Sequence, residues 1–336
     1  MGRPRAADGN ASSLIRSLLP AVLIALFLAV AACASATSSS TPGTAGTQAG
    51  DAAGEDTDGE VTDEPTTPVD RAARDAFLEE FFTEDEFSAD EASGDGEEEE
   101  IILVTYQVQG DLIANPVEEP VAGDLVDLRE DTLTQEEIWE FFVGFMPQSQ
   151  RELIAEFVIF TDGTDNVVAA ADLVSEAPEG WSIEIDIADA SDRAELTYNL
   201  LHEYAHVLTL NGTQFAPDGG GDATYQSEEE WTTGDSYLNL FYQQFWADIY
   251  SEWELAYDED YLDEFYEEHT DEFLTDYAAT EPEEDIAESW LYFVISERPE
   301  EGSIAQQKID FFYDFPELVS LREQIRDNLY LYLINQ

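Results

Sequence analysis

The segment His202-Glu203-Tyr204-Ala205-His206 puts two imidazoles four residues apart, with a carboxylate next to the first. Side chains four apart on a helix point the same way, so both rings can enter one tetrahedral zinc site. Glu203 can then take a proton from a water that the metal acidifies. The chain has three His among 336 residues and commits two of them here. With 44 Glu available, a shuffled sequence of this composition would contain the pattern about 0.004 times. Two His that merely share a helix with a Glu between them are a poor alternative to a metal centre.

These residues need a helix to carry them, and residues 191–210 read as one, free of Gly and Pro. Ser191 or Asp192 can cap it, and Glu195 follows in the first turn. A third ligand must come from elsewhere. A metzincin would carry Gly at 209 and His at 212, but the chain has Thr209 and Gly212, which excludes that class. Residues 277–290 (YAATEPEEDIAESW) read as a loop followed by a helix that Thr280 can cap and whose first turn holds Pro282. Ile286, Trp290 and Val294 line its apolar side. Glu284 and Glu288 lie one turn apart on it. Glu284 could complete a two-His, one-Glu zinc site, and Glu288 could hold a zinc-bound imidazole by its other nitrogen.

The HExxH helix, the later Tyr277, Glu284 and Glu288 together resemble the gluzincin metallopeptidases of the anthrax lethal-factor type. The wording YAxTxPEEDxAE is similar to that of zinc-binding metallopeptidases found among bacterial lipoproteins. The resemblance covers about residues 192–297. It implies a zincin-like catalytic domain with one catalytic zinc on His202, His206 and Glu284, Glu203 as general base and Tyr277 as hydroxyl donor to the oxyanion. The downstream Asn-Glu wording of thermolysin is absent, which leaves Asp285 and Glu288 open beside Glu284 as the third ligand. The implied reaction is hydrolysis of a peptide bond in a peptide or protein substrate. By analogy with zincins, the substrate would lie extended along an edge strand, for which residues 181–187 are the candidate, with Glu184 and Asp186 facing solvent or substrate.

The rest of the chain sets the context. Asp plus Glu number 77 against 12 Lys plus Arg, a net charge of -65, which excludes nucleic acid as a partner. Arg3, Arg5 and Arg16 precede an apolar run over 18–30 and the sequence Val30-Ala31-Ala32-Cys33, so residues 1–32 read as an export signal. The last four resemble a bacterial lipobox, which implies lipidation of Cys33 and an extracytoplasmic lipoprotein anchored to the membrane. The apolar run is short for a span of about 20 residues. Residues 33–100 read as an acidic, low-complexity tether with a short helix at 71–87. Residues 101–336 read as the catalytic domain, in which Lys308 is the only lysine of the chain. An acidic extracellular protein could also collect calcium, and residues 162–165 or 218–222 could supply oxygens. Neither follows an EF-hand loop, so both read as turns.

Residues 101–109 and 181–187 read as strands, the latter half-exposed by its alternation, and 135–145 as a helix that Pro147 ends. Residues 152–161 fit a helix or a strand equally. Nearly everything after 191 has helical spacing, so the class is α+β, a small sheet followed by a mainly helical C-terminal half. The series Tyr237, Phe241, Phe245, Ile249 and Trp253 reads as core, His269 as a surface residue with no partner at ligand spacing, and 211–234 as a lid or an insertion. Two rival functions stand beside a membrane-tethered zinc metallopeptidase. One is a non-catalytic zincin scaffold that binds cations or a partner, which the intact Glu203 disfavours. The other is a zinc amidase acting on cell-wall peptide. Charge of this density repels itself, and at about 1 M salt the screening length falls to roughly 3 Å. The protein is therefore expected to unfold at a higher temperature in molar salt than in dilute buffer, and an unchanged midpoint would contradict an adaptation to salt.

Overall fold

The computed structural model describes residues 69–82, 100–163, 167–174, 180–216, 225–227, 230–259, 261–300 and 302–336. The export signal, Cys33, most of the tether, Thr164, Asp165 and 218–222 lie outside them. The class is α+β: a five-stranded mixed sheet precedes a mainly helical C-terminal half. No described helix is long and apolar enough to cross a membrane.

The helix expected at 71–87 is α1 (Arg71–Phe81), capped by Asp70 through the Ala72 and Ala73 amides. The sheet is built from β1 (Ile101–Gln109), β2 (Leu112–Glu118), β3 (Ile154–Thr161), β4 (Ala169–Val174) and β5 (Gly180–Asp186). Their order is β2-β1-β3-β5-β4, with β3 and β5 parallel and every other pair antiparallel. Residues 152–161 are thus a strand, and a central one. Its apolar residues are buried on both faces, which is why periodicity left it open. Residues 181–187 are not an edge: β5 is hydrogen-bonded to β3 on one side and β4 on the other, and all but Glu184 of its residues are buried. Asp186, expected outside, is wholly enclosed and accepts the Asp162 and Ala188 amides. The strand at the end of the sheet on this side is β4.

Between β2 and β3 lie α2 (Leu125–Glu130) and α3 (Thr132–Phe145), and Trp139 of α3 packs 5.2 Å from Phe157 of β3 between ring centroids. After the sheet come α4 (Arg193–Thr209), a short hairpin of β6 (Gln226–Ser227) and β7 (Glu230–Trp231), α5 (Tyr237–Phe245), α6 (Tyr250–Glu259), α7 (Leu262–His269), α8 (Pro282–Ile295), α9 (Ile304–Phe311) and α10 (Pro316–Ile334). The single aromatic series expected over 237–253 is split between α5 and α6, but Phe241, Phe245 and Trp253 do enter the core.

α4 packs against both β4 and α8, and α10 packs against α8, α3 and α1. Beside apolar packing, buried cations join α8 and α10. Arg322 donates to the carbonyls of Phe293 and Ser296, and Arg326 to those of Val294 and Ile295, so both cap the C-terminal end of α8. Helix C-termini carry unsatisfied carbonyls and partial negative charge, which suits a guanidinium. Arg326 also reaches Asp75 of α1 at 3.0 Å, while Arg74 pairs with Glu323 and Asp327 of α10. Removing Arg326 strips the Val294 and Ile295 carbonyls of their side-chain donor inside the protein and leaves Asp75 to Arg74 alone. Arg326→Met is expected to cost about 3 kcal/mol in unfolding free energy by denaturant titration. A change within about 0.5 kcal/mol would mean that α8 is held by apolar packing alone.

Candidate metal centre

Asp192 caps α4, accepting the Ala194 and Glu195 amides at 2.8 and 3.1 Å, and the helix runs unbroken to Thr209. Its inner face therefore carries Tyr198, His202 and His206 in line, at four-residue steps. The two imidazoles are buried, with ring centroids 5.1 Å apart. His202, Glu203 and His206 each offer a ligand atom, all within 4.8 Å of one another, and this group could hold a metal ion.

α8 faces them. Its N-cap is Glu281, and Thr280, expected to cap it, instead donates its hydroxyl to the Tyr277 carbonyl and closes the preceding 3-10 turn, Tyr277–Ala279. Pro282 opens the helix, and Ile286, Trp290 and Val294 are buried in the core as their spacing implies. The three candidate carboxylates are sent to different places. Glu284 Oε2 lies 2.9 Å from His202 Nε2 and 3.6 Å from His206 Nε2. Glu288 Oε1 lies 2.8 Å from His202 Nδ1, the other ring nitrogen. Asp285 points away from both rings into the core, where Trp246 Nε1 donates to it at 2.7 Å and Lys308 Nζ sits at 2.6 Å. Two ligand atoms on a tetrahedral zinc, with bonds of about 2.0–2.1 Å, lie roughly 3.4 Å apart. The 2.9 and 3.6 Å separations of Glu284 from the imidazoles bracket that value, so His202, His206 and Glu284 fit such an ion.

Tyr277 also reaches the site. Its ring is 5.7 Å from that of His202, and Glu284 is among the charges that act on its hydroxyl. Burial, then the charges of Glu284 and Glu203, push that hydroxyl well above its ordinary range. Burial alone would lower both imidazoles, but Glu284 and Glu288 hold His202 well above its ordinary value, and Glu284 raises His206. Glu284 itself, raised by burial, is pulled far below the carboxylate range by His206 and His202. The carboxylates therefore gather positive charge at this point, a demand that a divalent cation meets as well as protons do. Glu203 is half-buried, and burial pushes its carboxyl up to about 7 against the pull of His206 and His202.

Three participants carried no motif. Tyr198 donates to Glu288 Oε2 at 3.2 Å, and its place one turn before His202 is the signal that could have marked it. Thr275 donates to the same oxygen at 3.0 Å, and Lys308 is wholly buried against Asp285; neither position has a local signature. The described parts of 211–234 are docked: Phe215 bridges to Thr232, and Tyr225 donates to Glu283 in the first turn of α8 at 2.7 Å. His269 is not a free surface residue. It is half-buried, with Glu272 at 2.8 Å and Glu252 at 3.6 Å. Asp162, a candidate calcium oxygen, lies with Asp186 and Asp189 in a second group of carboxylates within 4.8 Å of one another. Comparison with family models, with curated proteins and with solved structures found no match to this chain.

Beside the centre, Glu184 of β5 is pushed up to about 7, first by burial and then by Asp172, Glu100 and Glu203, against the Ser182 hydroxyl that donates to it. The unfolded chain ionises this group near 4.5. Between those values the folded state binds more protons, so this group's contribution to stability falls as pH rises from 4.5 to about 7 and is flat above. Glu184→Gln is expected to stabilise the protein by on the order of 2 kcal/mol at about pH 8 and to leave it unchanged near pH 4.5. Unfolding curves at the two pH values check this, and an equal effect at both would assign it to packing.

Proposed function

We propose that the protein is a zinc-dependent metallopeptidase, with a zincin-like domain tethered outside the membrane through Cys33. The observation that supports this most is the convergence of His202, His206 and Glu284 around one point with Glu203 alongside. Two imidazoles and a carboxylate are the donor set of a hydrolytic zinc with an open position. A bound zinc supplies Lewis acidity, polarising the scissile carbonyl and acidifying water.

The chain's own residues do the rest. Glu203, on the same helix as both imidazoles, takes the proton from the attacking water and delivers it to the leaving amine. A carboxyl whose proton affinity burial has raised is suited to holding that proton between the two steps. Tyr277, whose ring lies 5.7 Å from that of His202, would donate to the oxyanion. The sheet ends at β4, which packs against α4, so β4 replaces residues 181–187 as the strand along which an extended peptide would lie.

The reading is tested by metal content and cleavage together on the full chain, purified in high salt and dialysed. About one zinc per chain is expected in the wild type and none in His206→Ala, which also subtracts cations held loosely by the acidic surface. Glu203→Gln is expected to keep the zinc and lose a hundredfold or more of peptide hydrolysis. Equal metal in wild type and His206→Ala would sink the centre. Wild-type cleavage by Glu203→Gln would sink the base. Cleavage of cell-wall peptide but not of protein would move the substrate class to the amidase alternative.

A further inference from the structure

We propose that Thr275 is a positioning residue of this centre, whose hydroxyl, through Glu288, fixes the hydrogen of His202 on Nδ1 and at the same time holds the turn that carries Tyr277. The inference rests on the metal-centre reading above.

The proton directions follow from what each group can do. The Ala278 amide donates to Thr275 Oγ1 at 3.0 Å. An amide N–H can only donate, so the single hydroxyl hydrogen of Thr275 is directed at its other partner, Glu288 Oε2, at 3.0 Å. Tyr198 donates to that same oxygen at 3.2 Å. Glu288 thus receives two hydroxyl hydrogens on Oε2 and presents Oε1 to His202 Nδ1 at 2.8 Å. A carboxylate that already takes two hydroxyl hydrogens on Oε2 accepts at Oε1 as well, so Nδ1 carries a hydrogen whether or not the ring is charged. Nε2, the nitrogen that faces Glu284 and His206, is then the one whose proton a cation would replace and whose lone pair it would use. The wrong tautomer would aim an N–H at the ion.

This control is confined to one imidazole. His206 Nδ1 is buried without a hydrogen-bond partner among the described residues, so nothing equivalent fixes its ring. Thr275 has a second role that Tyr198 lacks. The amide it accepts belongs to the 3-10 turn Tyr277–Ala279, whose first amide is in turn held by Asp276 at 2.8 Å. One buried hydroxyl therefore ties the ring orientation of His202 to the placement of Tyr277. A Ser at 275 would preserve both bonds, whereas a Val of the same shape would break both.

The test compares wild type, Thr275→Val and Thr275→Ser for zinc affinity by chelator competition and for the His202 Nδ1–H resonance in the zinc-loaded protein by NMR. Thr275→Val is expected to lose about tenfold in zinc affinity and to lose that resonance to solvent exchange. Thr275→Ser is expected to match the wild type in both. Should the Val variant fail to fold, Thr275→Cys, whose thiol donates only weakly, takes its place with the same expected order. Wild-type affinity and an intact resonance in the Val or Cys variant would overturn the inference while leaving the centre standing. Equal losses in Val and Ser would overturn it too, by assigning the effect to side-chain shape. No zinc in the wild type would instead defeat the metal-centre reading itself.

Discussion

His202 is gripped at both ring nitrogens, by Glu284 on one side and Glu288 on the other, and this clamp sets how α4 and α8 pack. The two carboxylates are four residues apart, so they stand one above the other on α8 with a gap that takes one imidazole edge-on. Neither acid could be buried alone, because an unpaired carboxylate inside a protein costs several kcal/mol. Glu284 is stable there because both imidazoles stand beside it, and Glu288 because His202, Tyr198 and Thr275 all reach it. The register of α8 against α4 is therefore set by these charges as well as by its buried apolar face: sliding either helix by a turn would take the acids away from the imidazoles.

Holding α8 in that register takes cations at both of its ends. Arg322 and Arg326 cap its last carbonyls, and Lys308 neutralises Asp285 in its first turn, with Phe273 packed 3.8 Å from the ammonium. Arg74, Arg151, Lys308, Arg322 and Arg326 are all buried. In a chain with 12 basic residues, cations used internally are cations missing from the surface. The outside is left with carboxylates that have few counter-charges, so the interior arrangement and the expected dependence on salt have one origin.

Local pattern carried much of this fold and most of the candidate site. The helix with His202 and His206, its Asp cap, β1 to the residue and the apolar face of α8 all rest on spacings of two to four residues, and these read directly from sequence. What failed to read was non-local. β3 is apolar on both faces because it is central, and β5 alternates like an exposed strand although a parallel neighbour and an antiparallel one cover its edges. The enclosure of Asp186 depends on backbone amides 24 and two residues away, only one of them local. Thr275 and Lys308 act across gaps that no periodicity marks, and His269 takes a partner, Glu252, from another helix.

The first turn of α8 shows why the site could not be built from fewer acids. Glu283, Glu284 and Asp285 are consecutive, and at 3.6 residues per turn they leave the helix about 100° apart. Glu283 receives the Tyr225 hydroxyl from the segment leading into the β6–β7 hairpin, Glu284 meets the imidazoles, and Asp285 meets Lys308. Three neighbouring carboxylates would repel one another in most settings. Here they sit at a helix N-terminus, where unsatisfied amides and the helix dipole favour negative charge, and Pro282 fixes where that terminus begins. If the helix began one residue later, each acid would turn by about 100°. Asp285, with its shorter side chain, would then have to span the gap to the imidazoles, and Glu284 would be driven into the space where Glu283 meets Tyr225. Pro282 thus belongs to the site although it touches none of its chemistry.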